Sequence, residues 1–195
     1  MADNKLYPVS IASREYDFVQ EHFMKTMKMI ACIIRIERVE NGRQQEAFAL
    51  QKKNVVKDIR EQLPALTKKQ LVRMLFHGTK QTAIHDIISN NAAGYIPLLS
   101  SSRNGAIYGD GTYFARDAVY SHGYAEVVDG QRQMLLNEVL VGEWTQGVQG
   151  TRAYPKVVGS KNRSYNSLVN NPNEPSIFVV QHSYQAYPAY LITYK

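Results

Sequence analysis

Two short stretches hold the residues whose types and spacing could do chemistry. The first is Phe76-His77-Gly78-Thr79, where an apolar run from Leu71 stops on an imidazole and a glycine. A histidine at a strand end commonly does no more than satisfy neighbouring backbone groups. A glycine directly after it permits unusual dihedrals and lets a flat ligand approach bare N–H and C=O groups. The second stretch is IYGDGTYFARDAVYSHGYA, residues 107–125. Tyr113 and Tyr124 stand eleven residues apart, across one short strand and one short helix. Two tyrosines so placed could sandwich a planar ring, each stacked face contributing on the order of 1 kcal/mol beyond simple burial. Ser121 lies one helical turn before Tyr124, where its hydroxyl could reach the polar edge of the same ring. Taken singly, each tyrosine reads equally as a half-buried packing residue.

Several other chemistries are excluded. The pattern GDGTYF lacks the third glycine of a dinucleotide fingerprint and runs into aromatic residues instead of opening a long helix. No glycine-rich run ends in Lys-Ser or Lys-Thr, so a phosphate-cradling lysine loop is absent, and no G-x-S-x-G elbow occurs. His77, His85, His122 and His182 show no ligand-type spacing with carboxylates, so no catalytic metal is expected.

The elements that must position these residues can be read from periodicity. Ser13 is an N-cap for an amphipathic helix whose inward face is Tyr16, Val19, Phe23 and Met27. IIRIERVE, residues 33–40, alternates as a half-exposed strand. A second helix is predicted over Arg43 to Ile59, with Ala47, Leu50, Val55, Val56 and Ile59 inward and Pro64 beyond its end. LVRMLFHG is a strand, and QTAIHDIISN a short helix presenting Ile84, Ile87 and Ile88. TYFAR is a short strand, DAVYSHGYA a short helix starting at Asp117, and RQMLLNEVLVGEW a long strand. Residues 145–175 read as one extended loop of about thirty residues, a length that inside a compact domain is usually functional or mobile. SIFVVQH and PAYLITY close the chain as two strands joined by SYQAY. The predicted class is α+β, rich in strands, with helices concentrated toward the N-terminus.

Composition sets the boundaries. The 195 residues, 44% hydrophobic and 21% charged, suit one globular domain. No apolar run approaches the ~20 residues of a membrane span, and MADNKLYPVS has no signal-like apolar segment, so no membrane association is expected. Cys32 is the single cysteine, which excludes an internal disulfide and points to a reducing, intracellular compartment, cytoplasmic or nuclear. The net charge of +6 favours anionic ligands. Its basic residues are scattered, with no arginine-rich arm, so nucleic-acid binding is expected to be weak or absent.

Together LFHGT, YGDGTYFARDAVYS and SIFVV…QAYPAYLITY resemble the catalytic domain of the poly(ADP-ribose) polymerase family, in particular its mono-ADP-ribosylating members that carry macrodomains. Three motifs in order, at matching separations, carry a resemblance that spans nearly the whole chain. It implies an ADP-ribosyltransferase fold of two packed, mostly antiparallel sheets with flanking helices, and one such catalytic domain over residues 1–195 without a helical regulatory domain. Activation by DNA breaks is therefore not expected. It also implies NAD as substrate, no metal, a monomer, and proteins as acceptors, the chain itself among them.

The roles implied by the resemblance fall on numbered residues. His77 matches the triad histidine that hydrogen-bonds the adenosine ribose of NAD, and Gly78 the glycine whose backbone grips the nicotinamide carboxamide. Tyr113 is the triad tyrosine, Tyr124 the second tyrosine stacking on nicotinamide, and Ser121 the serine that bonds the carboxamide. Thr79, Tyr108, Phe114 and Ala115 are expected among the NAD contacts. Residues 94–108 correspond to a loop lining the NAD site, and the acceptor-side loop falls within 147–175. The third triad position is a glutamate in chain-elongating members; here it aligns with Ile177, which accepts neither a proton nor a hydrogen bond. Glu174 lies three residues away, roughly 10 Å along an extended strand, and is read as a loop carboxylate without a catalytic role. The pattern His77–Tyr113–Ile177 implies transfer of single ADP-ribose units. Two alternatives stand beside it: an inactive module that binds NAD, ADP-ribose or a protein, and a related RNA 2′-phosphotransferase, which would need an arginine-rich site and a histidine in place of Tyr113.

Overall fold

The computed structural model describes residues 5–28, 31–60, 71–90, 94–97 and 106–195. Ten strands form one hydrogen-bonded sheet: β1 (Lys5–Pro8), β2 (Ile33–Glu40), β3 (Val72–Gly78), β4 (Thr112–Ala115), β5 (Val127–Val128), β6 (Gln131–Leu140), β7 (Trp144–Gln146), β8 (Ser167–Val169), β9 (Ile177–Val180) and β10 (Ala186–Tyr194). The order is β1-β2-β10-β6-β3-β4-β9-β8-β7, with β5 paired to β6. Every pair is antiparallel except β7 with β8. The expected α+β, mostly antiparallel character holds. The two expected sheets are instead two halves of one sheet, joined by a single register pair, Phe76 on β3 with Ala115 on β4.

Four α-helices flank the sheet among the described residues: α1 (Arg14–Met27), α2 (Gly42–Arg60), α3 (Gln81–Ser89) and α4 (Ala118–His122). Ser13 caps α1 by accepting the Tyr16 N–H at 3.1 Å, and Val19, Phe23 and Met27 are buried as their spacing predicts. Phe23 packs edge-on against Tyr194 (4.9 Å between centroids) and Phe76 (6.2 Å), fixing α1 across β3 and β10. The start of α4 is tied to α1, because Thr26 Oγ1 accepts the Ala118 N–H at 3.0 Å. Asp117, at the N-cap of α4, makes no side-chain cap and pairs with Arg116 instead.

Helix α2 corrects one inward assignment. Val55 and Ile59 are buried, but Leu50 is 61% exposed and Phe48 takes the core position, against Tyr187. Leu50 sits two residues, or about 200° of helix, from Phe48, so the two cannot share a face. Pro64 lies outside the described residues. The thirty-residue loop is corrected too: it contains the end of β7 and all of β8, whose parallel pairing extends the sheet at its edge. Three-residue strands show too little alternation to be read from sequence. No helix among the described residues is long and apolar enough to cross a membrane.

Candidate active site

The site forms where the two halves of the sheet meet. β3 carries His77 and Gly78 just past Phe76, and β4 carries Tyr113 and Phe114 just before Ala115, so the Phe76–Ala115 pair sets the two motifs side by side. A cleft of about 750 Å³ opens there. His77, Gly78, Thr79, Tyr113, Phe114, Ala115, Ser121 and Tyr124 all line it, so residues far apart in sequence converge on one space. Tyr108 and Ile177 are not among the lining residues.

His77 is held on three sides. Its Nδ1 lies 2.8 Å from the Tyr113 carbonyl oxygen, and its ring meets those of Tyr95 (5.3 Å) and Phe114 (5.5 Å). A carbonyl only accepts, so Nδ1 carries the proton and the neutral ring offers Nε2 as an acceptor. Burial lowers the imidazole pKa from its ordinary 6.5, with the Tyr113 carbonyl opposing the shift, so the ring is neutral at pH 7. A neutral acceptor nitrogen of fixed direction suits a hydroxyl donor such as a ribose.

The Tyr113 hydroxyl donates to the Gly109 carbonyl at 2.8 Å and accepts the Tyr108 N–H at 3.0 Å. The side chain therefore holds the 108–109 turn, and Tyr108 takes part through its backbone. Gly109, at φ +103°, adopts the left-handed conformation this turn requires. Burial raises the Tyr113 pKa, keeping the phenol neutral. On the other lip, Tyr124 is 44% exposed, with its ring 5.5 Å from that of Tyr120 and its hydroxyl 3.4 Å from the Tyr120 hydroxyl. The ring of Tyr124 is thus accessible to stacking while its far edge is tethered. Ser121 is buried beneath it.

Gly78 fits a specific close approach. A methyl group there would be driven into the Ser121 carbonyl oxygen and would lie 2.8 Å from that carbonyl carbon. Only a bare backbone lets the end of β3 pass under the turn after α4.

Ile177 sits on β9 directly across from Ala115 and is 4% exposed. Paired residues share a sheet face, so Ile177 lies on the face of Ala115 and Tyr113, opposite that of Phe114 and Phe178. Its N–H and that of Ser176 donate to Asn170 Oδ1 at 2.9 and 3.0 Å. Glu174 is 3.3 Å from the Arg116 guanidinium and well exposed, held away by that ion pair.

Sequence reasoning missed the wall supplied by α3, where Thr82, Ala83, Asp86 and Ile87 face the cleft. Their three- and four-residue spacing was the available signal, but the buried isoleucines on the same helix dominated it. Within the loop expected to line the site, Gly94, Tyr95, Ile96, Ala106 and Ile107 do line the cleft; what was not read is the part Tyr95 plays, buried, bonded to Asn137 through its hydroxyl and set against the His77 ring. Of the loop expected to line the site, residues 98–105 lie outside the described residues.

The chain matches the poly(ADP-ribose) polymerase catalytic domain over residues 13–195 and belongs to that family. It is 34% identical over 196 residues to the protein mono-ADP-ribosyltransferase PARP12 of Mus musculus, an alignment that covers 98% of this chain and 25% of that protein. To the protein mono-ADP-ribosyltransferase PARP11 of Homo sapiens it is 33% identical over 215 residues, covering 97% of this chain and 59% of the relative. To a probable poly [ADP-ribose] polymerase of Dictyostelium discoideum it is 31% identical over 198 residues, covering 99% and 54%. The chain therefore spans a minor part of the first of these relatives and little more than half of the other two.

Proposed function

We propose that this chain is a single catalytic domain that transfers one ADP-ribose unit at a time from NAD to protein side chains, with release of nicotinamide. The observation that carries this reading is the convergence of His77, Gly78, Tyr113, Ser121 and Tyr124 on one cleft, with a buried isoleucine across from its Ala115 wall.

In the reaction the glycosidic bond between the ribose C1′ and the nicotinamide nitrogen breaks. Its electron pair leaves with nicotinamide and neutralises the pyridinium, and C1′ passes through an oxocarbenium-like state before bonding to the acceptor oxygen. The chain's part is orientation. Gly78 and Ser121 hold the carboxamide, Tyr124 and Tyr113 flank the ring, and His77 Nε2 accepts from the adenosine ribose. Ile177 takes no proton. A carboxylate acceptor needs none removed, because its anion attacks directly and forms an ester, so acidic side chains suit this site. The acceptors are proteins, the chain itself among them, and the working form is a monomer. A reducing compartment, cytoplasmic or nuclear, suits a chain whose one cysteine is exposed.

Incubation with labelled NAD tests the reading. Discrete labelled bands support single-unit transfer, a ladder would mean polymer, and no label with retained NAD binding would mean a binding module. Ile177→Glu is expected to leave the bands discrete, because one carboxylate does not supply an acceptor site shaped for a growing chain. Burying that carboxylate should also lower the melting temperature by about 5 °C or more. A ladder from this single substitution would show that position 177 alone sets product length.

A further inference from the structure

The residue that follows the Tyr124 lip ties the two sides of the cleft together. Glu126 is exposed, lies outside the cleft lining and belongs to none of the motifs singled out above. Its backbone N–H donates to the Thr79 carbonyl at 3.3 Å, and its Oε2 accepts the Gln81 N–H at 3.0 Å. Both bonds land on the segment that leaves Gly78 and starts α3. The first N–H groups of any helix lack partners within it. Lys80, at the N-cap of α3, makes no side-chain cap, so a carboxylate from a different part of the chain does that work.

The position of this bridge gives it a role. Helix α3 forms one wall of the cleft, and the turn Ser121–Glu126 forms the other lip. That turn is held from behind as well, where Arg132 Nη1 bonds the Ala125 carbonyl. Glu126 therefore joins the lip carrying Ser121 and Tyr124 to the wall carrying Thr82 and Asp86, around the Gly78 end of β3. A negative charge at a helix N-terminus is also favoured by the helix dipole.

We propose that Glu126 is a positioning residue for NAD: it sets the separation between the Tyr124 lip and helix α3 by capping that helix, and touches no substrate itself. The inference rests on the reading that the cleft binds NAD. Without the carboxylate, only the backbone bond from Glu126 to Thr79 is left to join them, the competent separation is one of several that the lip and helix sample, and apparent affinity falls by the fraction of time it is populated.

The test compares Glu126→Ala and Glu126→Gln with the unaltered chain, by steady-state kinetics with NAD and by hydrogen exchange at the amides of residues 79–84. Glu126→Ala is expected to raise KM for NAD about fivefold, the scale of a lost helix cap, while kcat changes less than twofold. Glu126→Gln should recover most of this, because its amide oxygen still accepts from Gln81. Protection at the Gln81 amide should fall in the alanine variant and return in the glutamine variant, with β6 amides unchanged. Unaltered KM together with unaltered protection in Glu126→Ala overturns the proposal, and so does a loss that glutamine fails to restore. If the unaltered chain neither binds nor uses NAD, the reading of the cleft itself is what fails.

Discussion

Replacing His77 with alanine is expected to reduce label transfer from NAD to below about 1% of wild type. The imidazole contributes two nitrogens with different duties. Nδ1 donates to the Tyr113 carbonyl and joins the two halves of the sheet, while Nε2 is the nitrogen proposed to accept from the ribose of NAD. Alanine removes both and leaves a gap beside Tyr95 and Phe114, so a fall in stability of about 1–3 kcal/mol accompanies the loss. His77→Asn separates the two duties, since its amide nitrogen can donate to Tyr113 while its amide oxygen, although an acceptor, is carried on too short a side chain to reach the position of Nε2. The asparagine variant should melt closer to wild type and still fail to transfer. Near-normal transfer by it would remove His77 from the site.

The same histidine predicts a pH dependence of known sign. Its folded pKa is below 6.5, the ordinary value reached on unfolding, so the unfolded chain binds the proton more readily. Its contribution to stability is complete above 6.5 and is lost as pH falls through the folded value. Burial lowers His22 and His122 in the same way, so His77→Asn should make the acid limb of a melting-temperature profile shallower without abolishing it.

Gly78→Ala is the second substitution of large expected effect. The added methyl meets the Ser121 carbonyl and comes within 3.2 Å of the Ala125 nitrogen, and both are backbone atoms with no rotamer to change. Either the end of β3 or the turn after α4 must move. Overpacking of this kind costs about 1–3 kcal/mol, and displacement of Ser121 and Tyr124 by even about 1 Å should lower transfer by ~100-fold. Gly123→Ala is the control in the same turn, because its methyl would meet nothing closer than the Tyr120 carbonyl at 3.5 Å. It should transfer and melt like wild type. Equal losses in both variants would show that the turn tolerates no side chain anywhere, and that the approach to Ser121 is not the cause.

The parts of this fold that were legible in sequence are those with long, regular patterns. The buried stripe of α1 and its Ser13 cap span enough turns to be unambiguous, and so do the apolar runs of β6 and β10. What sequence could not supply was partnership. Leu50 and Phe48 are both apolar on α2, and only contact with Tyr187 decides which one is inside. β7 and β8 are too short to have a pattern; β8 exists because β9 offers it an edge, and β7 because β8 does. At the site, the motifs gave residue types and order and the resemblance placed Tyr95 in a lining loop, but its contact with His77 was invisible because nothing local distinguishes a packing tyrosine from one that props a histidine; the α3 wall was hidden by the isoleucines of the same helix.

The single register pair between β3 and β4 has a mechanical consequence. A sheet interrupted there resembles two plates meeting along a seam, stitched in its backbone by one register pair and otherwise by side chains: the His77–Tyr113 bond, the packed rings of Tyr95 and Phe114, and a buried apolar cluster that includes Leu75, Phe114 and Phe178. The cleft lies on that seam, with walls drawn from both plates. Any molecule filling it grips both at once. Occupancy of the site and cohesion of the domain are then one free energy measured in two ways, and a ligand acts here as a rivet as much as a reactant.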